Sequence, residues 1–335
     1  MSGISEQPAS EIGPRPTFAQ IVRRWIRPVL AIPTPIIFVA AAVIAGLLLW
    51  RQGSLGDVGE SLRDVSPLQT ASVLITYAAS ILVLGVRWHV LTRMAGGAPT
   101  WTSSAEVFMT SVIVNYAAPI GLAVPTRAAL TVRDLGLSPV QSGAVVGWEL
   151  ALDIIALMAI STLWLGLGGM ALLRSISVDF GFVVVGAILL ALAAGGVFLL
   201  SRVTAIRSRL ISILRPMYQD PLRQPASALL AVALTALFWS LQTGVMAALL
   251  GAFGIAPTLS LVAGLMGLPV LIGMLSPIPG GAGVREALMA AMARLEGSPA
   301  APVILAAVTY RMALFIVTPI VWGALRLARA RLKGR

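Results

Sequence analysis

Hydrophobic residues occur along this chain in long runs that short polar segments separate. A run of about 20 apolar residues is long enough to cross a bilayer as a helix. Six runs approach or exceed that length and predict transmembrane helices at residues 31–50, 68–92, 142–166, 180–200, 227–250 and 302–325. The pattern therefore predicts an all-α, polytopic integral membrane protein.

Two further apolar stretches, residues 103–135 and 259–296, are interrupted by proline and glycine. The first is broken at Ala118-Pro119-Ile120-Gly121 and again at Pro125, and the second at Pro277-Ile278-Pro279-Gly280-Gly281-Ala282-Gly283. Because proline removes a helical donor and glycine weakens a helix, each stretch is expected to divide into two half-helices. Broken backbone at membrane depth must be buried in protein or line a wet cavity. We therefore predict two re-entrant hairpins.

The composition supports a membrane protein and excludes several other classes. Only 11% of the 335 residues are charged, against about a quarter in soluble domains. The net charge of +11 comes from basic residues beside apolar runs, which is typical of cytoplasmic loops and not of a nucleic-acid-binding surface. The chain has no cysteine and one histidine, so we predict no metal site and no cofactor.

Loop charges suggest an orientation in a plasma (inner) membrane. Arg87 and Arg93 end the second predicted crossing, and a basic polar loop is predicted at residues 201–225. Nearly every basic cluster is cytoplasmic if both termini are cytoplasmic and each hairpin returns to the face that it left. The predicted organisation is a cytoplasmic tail, a membrane domain and a basic cytoplasmic tail, at residues 1–27, 28–328 and 329–335.

An internal repeat supports the same arrangement. Three pairs of segments resemble each other, namely residues 126–130 and 284–288, 136–139 and 297–299, and 148–152 and 310–314. The halves, at about residues 28–170 and 175–328, would each contain three crossings and one hairpin, so they would lie upside down relative to each other. Inverted repeats with broken helices are typical of transporters whose site lies near the midplane. The alternative is chance similarity between Ala- and Leu-rich helices.

Charged residues inside predicted membrane helices are the first functional candidates, since burying them is costly. Glu149 and Asp153 are four residues apart and share one face of the third crossing. Arg311 lies near the centre of the last crossing, at the repeat position of Glu149. We expect Arg311 to pair with Glu149 or Asp153. Such a midplane charge network is equally consistent with a structural ion pair and with a transport role.

The residues after the broken segments are the second candidates. Arg285 and Glu286 follow the run that contains Gly280, Gly281 and Gly283, and Arg127 has the equivalent place in the first half. The start of a helix attracts anions, and arginine adds a bidentate fork that suits phosphate. We predict paired headgroup sites for a phospholipid or a lipid phosphate. The alternative is that these arginines extend to interfacial headgroups.

These residues resemble a known family. The run at residues 277–286, followed by Tyr310-Arg311, is similar to the carboxy-terminal signature of the lysylphosphatidylglycerol synthase transmembrane-region family, also called flippase-like. Further similarities, over about residues 30–328, are Arg87-Trp88, the pair Glu149 and Asp153, and the stretch with Asn115, Pro119 and Arg127. Val124-Pro125-Thr126 stands where the family often carries a Gly-Glu pair, and no soluble aminoacyl-transferase domain follows the membrane part.

The resemblance implies a stand-alone translocating domain that is not itself an enzyme. Such a protein moves anionic, aminoacylated or polyprenyl-linked lipids between leaflets, and its expected partners are a membrane phospholipid or lipid-linked phosphate, a second copy of the chain or a partner synthase. One alternative is an integral-membrane transferase acting on lipid-linked substrates, although no predicted loop is long enough for a donor-binding domain. Another is a non-catalytic accessory subunit of envelope-lipid synthesis.

Overall fold

The computed structural model describes residues 65–117, 123–169, 171, 204–275 and 284–333, which are helical and contain no strand. We number the helices in chain order. They are α1 Pro67–Met94, α2 Trp101–Ala117, α3 Ala123–Leu135, α4 Pro139–Trp164 with a π-helical end at Leu165–Gly169, α5 Thr204–Arg223, α6 Pro225–Ala252, α7 Leu259–Met266, α8 Leu268–Leu275, α9 Val284–Leu295 and α10 Ala300–Lys333.

Four helices within these ranges are long and apolar enough to cross a membrane, namely α1, α4, α6 and α10. They coincide with the crossings predicted at residues 68–92, 142–166, 227–250 and 302–325. The crossings predicted at 31–50 and 180–200 lie outside the described residues. The all-α membrane class predicted from the sequence is confirmed.

Local sequence fixes where α1 and α4 begin. Each is preceded by serine, starts with proline and has glutamine at its third position. The hydroxyls of Ser66 and Ser138 accept hydrogen bonds from the backbone N–H groups of Gln69 and Gln141, whose side chains accept from the serine N–H groups in return. This reciprocal capping, with proline where a helix needs no donor, gives both helices defined starts.

The first broken stretch forms two short helices, α2 and α3, which pack against each other. The break at residues 118–122 lies outside the described residues. The second break, predicted at Pro125, is wrong: Pro125 lies in the first turn of α3, where an N–H has no intrahelical acceptor. The return of this hairpin to its starting face stays a prediction.

The second broken stretch has one more interruption than expected. Gly267, with φ −82° and ψ −98°, separates α7 from α8. A Cβ atom at Gly267 would lie 2.7 Å from Oγ and 2.9 Å from the backbone N of Ser161 in α4. Glycine therefore permits a close approach between the interrupted helix and α4. The Pro-Gly run at residues 277–283 lies outside the described residues.

The predicted polar loop at residues 201–225 is wrong, because residues 204–223 form α5, with Pro216 and Pro221 inside the helix. Pro221 cannot donate to the carbonyl of Met217, four residues earlier. The indole Nε1 of Trp148 donates to that carbonyl instead, at 2.9 Å. A Cβ atom at Gly147 would lie 2.6 Å from Sδ of Met217, so α5 packs closely on the glycine face of α4.

The two halves repeat the same order of elements. Helices α1 to α4 are long, short, short and long, and α6 to α10 follow that order with α7 and α8 in place of α2. The repeat extends to residues with special roles. Thr100 and Thr258 cap α2 and α7, and left-handed glycines match in pairs, Gly96 and Gly254 (φ 87° and 75°) and Gly136 and Gly297 (φ 71° and 70°).

Packing between the halves is reciprocal. α4 of the first half packs on α7 and α8 of the second, while α10 of the second half packs on α2 of the first. The most extensive helix–helix contact joins α1 and α6, which occupy equivalent repeat positions. Reciprocal contacts between equivalent elements indicate a pseudo-two-fold relation. The inversion of one half across the membrane stays a prediction.

Candidate functional site

Four charged side chains lie together where α1, α3 and α4 meet. Arg87, Arg127, Glu149 and Asp153 form what we call the charge cluster. Arg87 is only 1% exposed. Its Nη1 and Nη2 donate to Oδ1 and Oδ2 of Asp153 at 2.6 and 3.0 Å. This bidentate geometry gives the strongest form of the arginine–carboxylate pair.

Arg127 makes the second ion pair of the charge cluster. Its Nη1 contacts Oε1 of Glu149, and its Nε donates to the hydroxyl of Ser111 at 2.7 Å. Its guanidinium lies 4.6 Å from the ring centroid of Phe108 and 5.5 Å from that of Trp88. Ion pairing, hydrogen bonding and cation–π contact together hold this side chain against α2, α1 and α4.

Helix α6, from the other half, completes the surroundings of Arg87 and Asp153. Oγ1 of Thr235 accepts from Nη1 of Arg87 at 3.2 Å, and Nε1 of Trp239 donates to Oδ1 of Asp153 at 3.1 Å. The ring of Phe238 lies 5.8 Å from the Arg87 guanidinium. The cluster therefore connects both halves.

The charges of the cluster balance, with two guanidinium groups against two carboxylates. Glu149, 3% exposed, also lies 3.6 Å from Nη2 of Arg87, so its carboxylate faces both cations. Balanced pairing makes two buried and two partly buried charges tolerable in an apolar interior. Both carboxylates face cations, which favours a structural connection, whereas Oε2 of Glu149 is buried without a hydrogen-bond partner among the described residues.

The sequence located only part of this cluster. Glu149 and Asp153 share a helix face as predicted, and their partners are Arg87 and Arg127. Arg87, interpreted from the sequence as the end of a crossing, is buried within α1, which continues to Met94. The signal that pointed to Arg87 was its place beside Trp88 in the family resemblance. Thr235 and Trp239 gave no signal, because they belong to ordinary apolar helix sequence.

A second group of charged residues lies between α9 and α10. Arg285, Glu286, Tyr310 and Arg311 form what we call the Arg285 cluster. Arg311 Nη1 lies 2.7 Å from Glu286 Oε1. Arg285 is 7% exposed, and its guanidinium lies 4.7 Å from the centroid of the Tyr310 ring. Its Nε and Nη2 are buried without a hydrogen-bond partner among the described residues.

The expected pairing of Arg311 with Glu149 or Asp153 is wrong, since among the described residues its carboxylate partner is Glu286. The packing explains the difference. Both α4, which carries Glu149 and Asp153, and α10, which carries Arg311, pack against α1 and α6. In addition, α10 packs directly along α9, which carries Glu286, so Glu286 is the carboxylate within reach of Arg311. The two predicted groups, Glu149 with Asp153 and Arg285 with Glu286, thus form separate clusters, and Arg311 belongs to the second.

Other predicted site residues are outside this description. Gly280, Gly281 and Gly283 lie in the segment 276–283, for which no structure is described. The described ranges contain no group of three or more His, Asp or Glu side chains that could hold a metal ion.

Comparison with known proteins shows to which family the chain belongs. A search of curated proteins found no significant match to this chain. A family model described as the lysylphosphatidylglycerol synthase TM region matches residues 37–323, which include every helix described above except the end of α10. That span contains the charge cluster and the Arg285 cluster. The chain therefore belongs to the lysylphosphatidylglycerol synthase transmembrane-region family, multi-pass membrane proteins involved in lipid handling.

Proposed function

We propose that this protein translocates lipids with an anionic phosphate group between the leaflets of the plasma membrane, as a flippase-like transporter. The observation that carries the proposal is Arg285, a buried guanidinium of a membrane protein with two nitrogens that have no hydrogen-bond partner in the described part of the chain. Family membership supports lipids as the substrate class.

A buried arginine without an anion is energetically unfavourable. A charged donor left unpaired in an apolar interior costs several kcal/mol. The unpartnered atoms are Nε and Nη2, the two donors of one guanidinium edge. That edge presents parallel N–H groups that match two oxygens of a phosphate or carboxylate. Tyr310 supports the guanidinium from one side.

The proposal places the headgroup at Arg285 and not at Arg127. Arg127 is equivalent in the repeat, but Glu149, Ser111 and two aromatic rings already surround it. A headgroup phosphate at Arg127 would have to displace the Glu149 carboxylate. We therefore assign the charge cluster to holding the helices of both halves, and Arg285 to the lipid.

Reconstitution into liposomes tests the proposal. Purified protein should increase the movement of a fluorescent phosphodiester lipid between leaflets, measured by quenching of the outer leaflet. Arg285→Ala should reduce that rate by about tenfold or more, since a charge-assisted hydrogen bond contributes about 1.5–3 kcal/mol. Arg294→Ala is the matched control, because it removes an exposed arginine from the same helix, α9.

Three outcomes would contradict the proposal. They are a wild-type rate equal to that of protein-free liposomes, equal losses for Arg285→Ala and Arg294→Ala, and release of a covalently modified lipid. The last would indicate the transferase alternative.

A further inference from the structure

The two halves of the repeat differ in charge at the positions around their equivalent arginines. Arg127 and Arg285 occupy the same repeat position at the starts of α3 and α9. In the helix that follows each of them, Glu149 of the first half corresponds to Arg311 of the second. The next residue after each equivalent arginine also differs, since Ala128 corresponds to Glu286.

This charge reversal explains why, within the described ranges, one arginine has a carboxylate and the other has two nitrogens without a partner. In the first half, Glu149 reaches back from α4 to Arg127. In the second half, the same position in α10 carries Arg311, a cation that cannot pair with Arg285. Arg311 is neutralised by Glu286 instead. Counted over the described residues, two cations and one carboxylate give the Arg285 cluster one net positive charge.

We infer that the oxyanion of a bound phosphodiester occupies, in the second half, the place that the Glu149 carboxylate has in the first. Glu149 is thus a built-in equivalent of the ligand, and only the second half accepts one. The inference rests on the proposed function and specifies its substrate as a lipid with one negative charge on its phosphate. A phosphodiester neutralises the Arg285 cluster, whereas a phosphate monoester, which carries close to two charges at neutral pH, leaves an excess negative charge at a buried site.

The test introduces the charge pattern of the first half at the equivalent positions of the second half. In the double variant Glu286→Ala with Arg311→Glu, the second half carries the same arginine, alanine and glutamate pattern as the first. Its new carboxylate should pair with Arg285 and exclude the ligand. The matched control is Glu286→Ala with Arg311→Gln, which removes the same ion pair but supplies no carboxylate.

Binding is measured by native mass spectrometry of the full chain in neutral detergent with phosphatidylglycerol, a phosphodiester lipid. Wild type and the Gln control should bind one molecule per chain, and the Glu variant should bind at least about tenfold more weakly, since a competing charge-assisted bond contributes about 1.5–3 kcal/mol. A second arm of the experiment measures binding of glycerophosphoglycerol, the same phosphodiester without acyl chains. Binding of the lipid alone supports the inference, whereas equal binding of the soluble diester contradicts a lipid source.

Further outcomes would overturn the inference. One such outcome is undiminished binding by the Glu variant, and another is loss of binding in the Gln control. A third is an Arg285→Gln variant that loses two bound lipids and not one. Wild type also provides a test that needs no variant, because phosphatidic acid, a monoester, should bind more weakly than phosphatidylglycerol at pH 7.5.

The liposome assay separates this inference from the proposed function. Expected binding without leaflet movement would contradict translocation and leave the site assignment intact. Leaflet movement that depends on Arg285, together with full binding by the Glu variant, would support translocation and refute the equivalence of Glu149 and the ligand.

Discussion

The carboxylate of Asp153 connects three helices through hydrogen bonds. It accepts two hydrogen bonds from Arg87 and one from Trp239, so it links α1, α4 and α6. The spacing of Glu149 and Asp153 predicted their common helix face. Their partners were not predictable, because helical periodicity gives the face of one helix and not the register between two helices.

Replacement of Asp153 by Asn should destabilise the protein strongly. The change keeps the shape of the side chain and leaves Arg87 and Arg127 with one carboxylate, Glu149. Breaking a buried pair from one side costs about 3–5 kcal/mol. Denaturant unfolding in detergent measures the difference from wild type. Asp134→Asn is the control, since Asp134 pairs with Arg133 at a more exposed site, where pairs contribute at most about 1 kcal/mol. Equal effects of the two substitutions would contradict the role of Asp153.

At the scale of the element, proline and glycine predicted where helices could break, but not whether they would break. Pro125 is tolerated because it lies in a first turn. Pro221 is tolerated because Trp148 satisfies the carbonyl of Met217. Gly267 separates α7 from α8, and its lack of a side chain permits the close approach of Ser161 of α4. At Pro221 and Gly267 the neighbour is distant in sequence, so the local signal predicts a place and not a conformation.

Trp148 and Pro221 should therefore be energetically coupled. Trp148→Phe removes the indole donor and leaves the Met217 carbonyl without a partner, at a cost of about 1–3 kcal/mol from the lost hydrogen bond. Pro221→Ala restores a backbone N–H that can reach the same carbonyl within α5. Pro221→Ala should thus recover part of the stability that Trp148→Phe loses. A double-mutant cycle on the free energy of unfolding measures the coupling. Strictly additive effects would show that the indole hydrogen bond does not substitute for the missing N–H.

At the scale of the whole molecule, the halves share one interior. Three short similarities in sequence were enough to predict a repeat, and the order of helices and the matched glycines agree with it. The reciprocal packing of α4 on α7 and α8, and of α10 on α2, was not predicted. Sequence order suggests two consecutive blocks, whereas each long helix packs against helices of the opposite half as well as its own.

Crosslinking tests the packing of α10, from the second half, on α2, from the first half. Glu106 of α2 lies 3.1 Å from Nη1 of Arg329 in α10, and the natural chain has no cysteine. A Glu106→Cys, Arg329→Cys variant should form an intramolecular crosslink with a short bismaleimide, detected as a linked peptide by mass spectrometry. Arg331→Cys in place of Arg329→Cys is the control, because residues two apart face different sides of a helix. Higher yield from the Arg331 pair would contradict the observed packing of α10 on α2.

The net positive charge of the Arg285 cluster, counted over the residues that the structure describes, would make the proposed transport sensitive to membrane voltage. In the transport cycle that we propose, a bound phosphodiester would neutralise the cluster, and the loaded protein would then expose its site to either side without moving charge through the electric field. The unloaded protein carries one charge as it returns. Moving one elementary charge across 100 mV changes the free energy by about 2.3 kcal/mol. The proposed cycle therefore predicts that voltage acts on the return step, and that an interior-negative potential favours unloaded sites that face the cytoplasm.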